Sequence, residues 1–127
     1  MKNMLDLGKN GEQVGGFEQE TWGKISEIVA DFPTVEKLVL FGSRAKGNYR
    51  PASDIDLWLV GKEVSLDDQL KIAGKLEDLW LPQQFDLIRA KTVDNQELKK
   101  HVERVGIVIW QKTVTKPKRS NSDSRSN

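Results

Sequence analysis

The chain has 127 residues, 20 Lys and Arg against 19 Asp and Glu, a formal net charge of +1 and no cysteine. That length suits one domain around one core, and the balance of charge argues against a strongly basic nucleic-acid binder. Missing thiols exclude a disulfide framework, a thiolate metal site and a cysteine nucleophile. No run approaches the ~18 apolar residues of a membrane span and no apolar leader opens the chain, so the expectation is a soluble, cytoplasmic protein without a membrane partner.

Residues 1–16 contain Gly8, Gly11, Gly15 and Gly16, which spoil any helical or strand period, and they read as a flexible arm ahead of a domain spanning 17–110. Ile25, Ile28, Val29 and Phe32 recur at helical spacing and mark an amphipathic helix over about 17–31, closed by Pro33. Val35 to Phe41 is an apolar run of strand length that ends at Gly42, and Ile55 to Val60 is a second strand between Pro51 and Gly61.

Ser65 followed by Asp68 resembles a capping box. It opens a helix to about Trp80 with Leu66, Leu70, Ala73, Leu76 and Leu79 or Trp80 on its buried face, and Pro82 stops it. Phe85 to Ile88 reads as a third strand. Asp94 with Glu97 predicts the cap of a last helix that buries Leu98, Val102 and Val105, while Ile107 to Trp110 suits a strand or a helix end equally. Residues 111–127 carry Lys112, Lys116, Lys118, Arg119 and Arg125 against Asp123 alone and end in a serine-rich run, which predicts a disordered basic tail. The order α-β-β-α-β-α predicts an α/β (α+β) fold, a small mixed sheet with helices packed on it. Its first two strands run antiparallel, because their link is too short for a crossover helix.

Chemistry concentrates between Leu40 and Leu57. Alternation along a strand places Asp54 and Asp56 on one face, their Cα atoms ~6.5 Å apart, within reach of one cation or of a pair. Asp86 is a polar residue inside the apolar third strand and is the candidate third ligand. Oxygen-only ligands select hard cations, Mg²⁺ or Mn²⁺, and leave coordination positions for phosphate oxygens. Gly42 permits close approach of backbone to phosphate, Ser43 adds a hydroxyl, and Arg44 and Lys46 add positive charge beside it. A Walker loop is absent.

Leu40-Phe41-Gly42-Ser43-Arg44-Ala45-Lys46-Gly47 followed by Ser53-Asp54-Ile55-Asp56-Leu57 resembles the signature of the DNA polymerase β-like nucleotidyltransferase superfamily, and the length resembles its minimal nucleotidyltransferase (MNT) branch. The resemblance covers about residues 17–110. It implies transfer of AMP from ATP to an acceptor hydroxyl. Asp54 and Asp56 match the metal-holding aspartates, Asp86 the carboxylate that helps activate the hydroxyl, and Gly42 and Ser43 the triphosphate-binding pair. It also implies a helical HEPN-family partner, toxin to this antitoxin, as acceptor and as the other half of a hetero-oligomer.

Two further readings stand beside this one: a binding module that neutralises such a partner by contact alone, and an adenylyltransferase for a small acceptor of the aminoglycoside type. The chain has no room for the extra domain the latter uses to hold its acceptor. His101, the single histidine, reads as structural or solvated. Trp58 shares a strand face with the aspartates and reads as core or as lining of the nucleotide site. Without aromatic residues after Trp110 the basic tail does not predict specific nucleic-acid recognition.

Overall fold

The computed structural model describes residues 1–7 and 12–113. Its elements run β1 (Lys2–Asn3), α1 (Met4–Leu7), α2 (Gln19–Ala30), β2 (Lys37–Phe41), α3 (Gly42–Lys46), β3 (Ile55–Val60), α4 (Leu66–Glu77), β4 (Phe85–Arg89), a 3₁₀ turn (Ala90–Thr92), α5 (Gln96–Val105) and β5 (Ile107–Gln111). The five strands form one mixed sheet in the order β1-β5-β2-β3-β4. As the short connection requires, β2 and β3 are antiparallel, whereas β3 and β4 are parallel and joined through α4. The undecided segment 107–110 is strand β5, antiparallel to β2.

Strand alternation divides the core. Ile55, Leu57 and Leu59 of β3 join Leu38 and Leu40 of β2 under α2 and α4, with Trp22, Ile25 and Val29 supplied by α2. The opposite face carries a smaller cluster of Val39, Phe41 and Trp58 beneath Val102 of α5. Asp56 lies on this second face.

Three expectations change. Residues 1–16 are not a loose arm throughout: Met4 and Val14 are buried, β1 pairs in parallel with β5, and the Trp22 indole donates to the Val14 carbonyl. A two-residue edge strand is held by main-chain bonds and leaves no side-chain period to read. In α4 the buried positions are Ile72 and Leu76, while Leu66 and Leu70 are exposed. The capping box at Ser65 and Asp68 is present, but Gln69 turns inward, donating to the Leu87 carbonyl and accepting from Arg89. This polar tie to β4 rotates the helix away from its leucine stripe. Finally, the cap of α5 is Asn95, whose side chain accepts from the Leu98 amide, rather than Asp94. Lys112 still donates to the Glu36 carbonyl beside β5, and the proposed tail from 114 onward lies outside the described residues.

Candidate active site

Asp56 is the second residue of β3, and its register partners are Phe41 on β2 and Asp86 on β4. Residues in register on neighbouring strands project to the same face, so Asp56 and Asp86 stand side by side across a strand spacing of about 4.8 Å. Asp54 is exposed and lies one residue ahead of β3 rather than within it. The Asp54 and Asp86 charges still bear on Asp56. Burial, then Asp86, then Asp54 push the Asp56 carboxyl up to about 6.

An oxygen-only donor set is of the kind that suits a hard divalent cation. Asp56 and Asp86 stand in register, with Asp54 near enough to influence Asp56, and among the described residues none of the three has an ion-pair partner; the ion pair that is present among them, Lys71 with Asp67, lies on the surface of α4. Among the described residues no group of three or more His, Cys, Asp or Glu is placed to hold a metal ion as it stands, so the three carboxylates would have to draw together on one. Asp54, Asp56 and Asp86 are the residues that would hold it.

The turn after β2 faces the same carboxylate. Gly42 has φ +71°, and a Cβ there would collide with the Asp56 carboxyl group. Both the left-handed backbone and the close approach require glycine. Ser43 is the second residue of the short α3, and its hydroxyl makes no hydrogen bond among the described residues. Lys46 is exposed at the other end of α3, close enough for its charge to bear on His101.

His101 enters the site from α5, which nothing in its sequence spacing signals. Its Nε2 accepts the Gly42 N–H at 3.1 Å, and its ring meets Phe41 edge to face with centroids 6.1 Å apart. An accepting Nε2 places the ring proton on Nδ1. Burial, with Arg104 and Lys46 adding to it, lowers the imidazole pKa. The neutral acceptor therefore persists at neutral pH, and the stability it lends is lost as pH falls through that lowered value.

Two candidates have other work. Arg44 was expected at phosphate, but only 3% of it is exposed. Its Nε and both terminal nitrogens donate to the carbonyls of Gly15, Pro51 and Ser53, with a longer bond to Arg50. Its guanidinium carbon sits 4.7 Å from the Phe17 ring centroid and 4.8 Å from that of Tyr49. Arg44 is thus a buried clamp on the loop leading to Asp54, with most of its donors engaged there rather than at a nucleotide. Trp58, 7% exposed, packs edge to face on Phe41 and belongs to the core.

A mixed sheet with a glycine-serine turn after one strand and carboxylates in register on the next two defines a nucleotidyltransferase. The family described as "Polymerase beta, Nucleotidyltransferase" matches residues 23–114, and the chain belongs to it. Among solved structures it is similar to a toxin-antitoxin crystallised with AMP-PNP, at 24% identity and TM-score 0.61, covering 72% of this chain and 73% of that one. It is also similar to a mutant of the toxin-antitoxin MntA-HpeT, at 25% identity and TM-score 0.59, covering 71% and 72%. A third similar structure is a tri-AMPylated Shewanella oneidensis HEPN toxin in complex with MNT antitoxin, at 22% identity and TM-score 0.57, covering 74% and 72%. No curated protein matches significantly. Among the described residues no helix is long and apolar enough to cross a membrane.

Proposed function

We propose that the chain transfers AMP from ATP to a hydroxyl of a HEPN-family protein, acting in the cytoplasm as the antitoxin of that pair, with Mg²⁺ or Mn²⁺ as cofactor. The observation that carries this reading is the register of Asp86 with Asp56 beside the glycine-serine turn, where burial first, then the Asp86 and Asp54 charges, raise the Asp56 carboxyl to about 6. The similar structures support the choice of donor and acceptor: one contains AMP-PNP and another an AMPylated HEPN toxin.

The divalent ion supplies a Lewis acid for the phosphate oxygens. Gly42 and Ser43 orient the β- and γ-phosphates, with Lys46 adding charge at the end of the turn. Asp86, at the edge of the sheet, faces the entering acceptor and takes its proton. The acceptor oxygen then bonds to the α-phosphorus as the bond to pyrophosphate breaks. His101 holds the Gly42 peptide and is a positioning residue.

The contact-only reading has one observation in its favour: the Gly42 amide is already engaged by His101, so nucleotide must form its bonds at Ser43 or displace the imidazole. Labelled ATP with Mg²⁺ and the HEPN-family protein separates the two. The parent chain labels the partner and the Asp54→Asn, Asp56→Asn double variant does not; equal labelling by the double variant would overturn the site, and protection of cells by that variant would favour contact alone.

A further inference from the structure

The Gly42 amide has an acceptor in the protein without nucleotide, and that acceptor comes from a distant part of the chain. The N–H is partly buried and donates to His101 Nε2 across 59 positions of sequence. A partly buried N–H left unpaired is costly, so the left-handed turn at Gly42 needs such a partner whenever no phosphate is present. The Ser43 hydroxyl beside it has no hydrogen bond among the described residues.

His101 is lightly tethered. Among the described residues the bond from Gly42 is the one hydrogen bond its ring makes, and beyond it the half-buried imidazole has its edge-to-face contact with Phe41. Turning the side chain to another rotamer therefore breaks a single hydrogen bond and leaves α5 in place. Lys46 and Arg104 are exposed and without ion-pair partners among the described residues. Burial first, then Arg104 and Lys46, act against a positive charge on His101, which keeps Nε2 an acceptor. The same two cations favour an incoming phosphate chain.

We propose that His101 is a built-in competitor of the nucleotide: its imidazole occupies the Gly42 amide in the empty site and is displaced when a phosphate oxygen takes that N–H. The inference concerns the regulation of the nucleotide site described above and rests on that reading. A hydrogen bond to a charged acceptor is roughly twice as strong as one between neutral groups, so the exchange runs toward phosphate once a triphosphate reaches the turn. Breaking the imidazole bond is subtracted from nucleotide affinity. The residue that stabilises the empty protein thus weakens its hold on ATP. A merely structural histidine predicts the reverse, because loosening the Gly42 turn also loosens its grip on phosphate.

The test measures binding of ATP with Mg²⁺ to the full chain alone, by calorimetry, for the parent, His101→Phe, His101→Ala and His101→Gln. Phenylalanine keeps a ring against Phe41 and removes the acceptor, whereas glutamine keeps an acceptor at similar reach. Competition predicts ATP bound about three- to tenfold more tightly by His101→Phe and His101→Ala, and within about twofold of the parent by His101→Gln. It also predicts that both acceptor-free variants melt below the parent without nucleotide and that saturating ATP closes most of the gap. Unchanged or weaker ATP binding in either acceptor-free variant that still melts cooperatively would overturn the proposal and leave the nucleotide reading standing. No ATP binding by any of the four proteins would end both. Transfer to the HEPN-family protein is read separately, from its intact mass.

Discussion

Arg44→Ala lowers stability by about 3 kcal/mol or more, because two or more charge-assisted hydrogen bonds worth ~1.5–3 kcal/mol each are lost and their carbonyls left buried. For a domain of this size that is a fall in melting temperature of roughly 15 °C or more. The guanidinium gathers carbonyls from two stretches of chain, at Gly15 before α2 and at Pro51 and Ser53 before β3, between the Phe17 and Tyr49 rings. No other residue type spans that set, since lysine lacks the planar fork and both neutral amides lack the reach. Arg44→Lys therefore recovers only a small part of the loss. Thermal unfolding followed by circular dichroism reads the result; a shift under about 5 °C for Arg44→Ala would mean that the clamp contributes little. Because Ser53 precedes Asp54, a variant that still folds also loses order at the carboxylates.

Asp56→Asn moves stability and activity in opposite directions. Nucleotide transfer falls by more than about 100-fold, since losing even an outer-shell partner of a metal costs 10–100-fold. Stability without metal rises. A carboxyl whose folded pKa is raised to about 6 from an ordinary 3.8 lends its stability fully below the ordinary value, and that stability is lost as pH rises from about 4 through 6. The gap in melting temperature between Asp56→Asn and parent therefore opens across that window and is largest at neutral pH. Adding Mg²⁺ at pH 7 raises the parent's melting temperature, because an ion bound only to the folded state stabilises it, and leaves that of Asp56→Asn nearly unchanged. Equal stability of the two proteins at pH 7 in metal-free buffer would show that the Asp56 charge is not confined as the geometry indicates.

The parts of the site legible in the sequence are those set by local geometry. Alternation within Ile55-Asp56-Leu57 tells which way Asp56 points, and the glycine after Phe41 tells where the backbone turns. The register that brings Asp86 beside Asp56 follows from β3 and β4 being parallel, which strand positions alone did not state. What could not be read depends on where distant backbone ends up. Arg44 looks like any surface cation until the carbonyls of Gly15 and Ser53 are seen around it, and His101 reaches Gly42 only because α5 crosses the second face of the sheet. In α4 the leucines at 66 and 70 carry the stronger periodic signal, yet the bonds of Gln69 to β4 decide the rotation. Two residues of β1 are enough to fasten a glycine-rich start, since an edge strand needs main-chain groups and little else.

The most direct test of protein adenylylation is the intact mass of the HEPN-family partner after incubation with the purified chain, ATP and Mg²⁺. The account predicts a gain of one or more AMP units on the partner, absent when Asp54 and Asp56 are both asparagine. A tight complex of the two proteins with the partner's mass unchanged would contradict it.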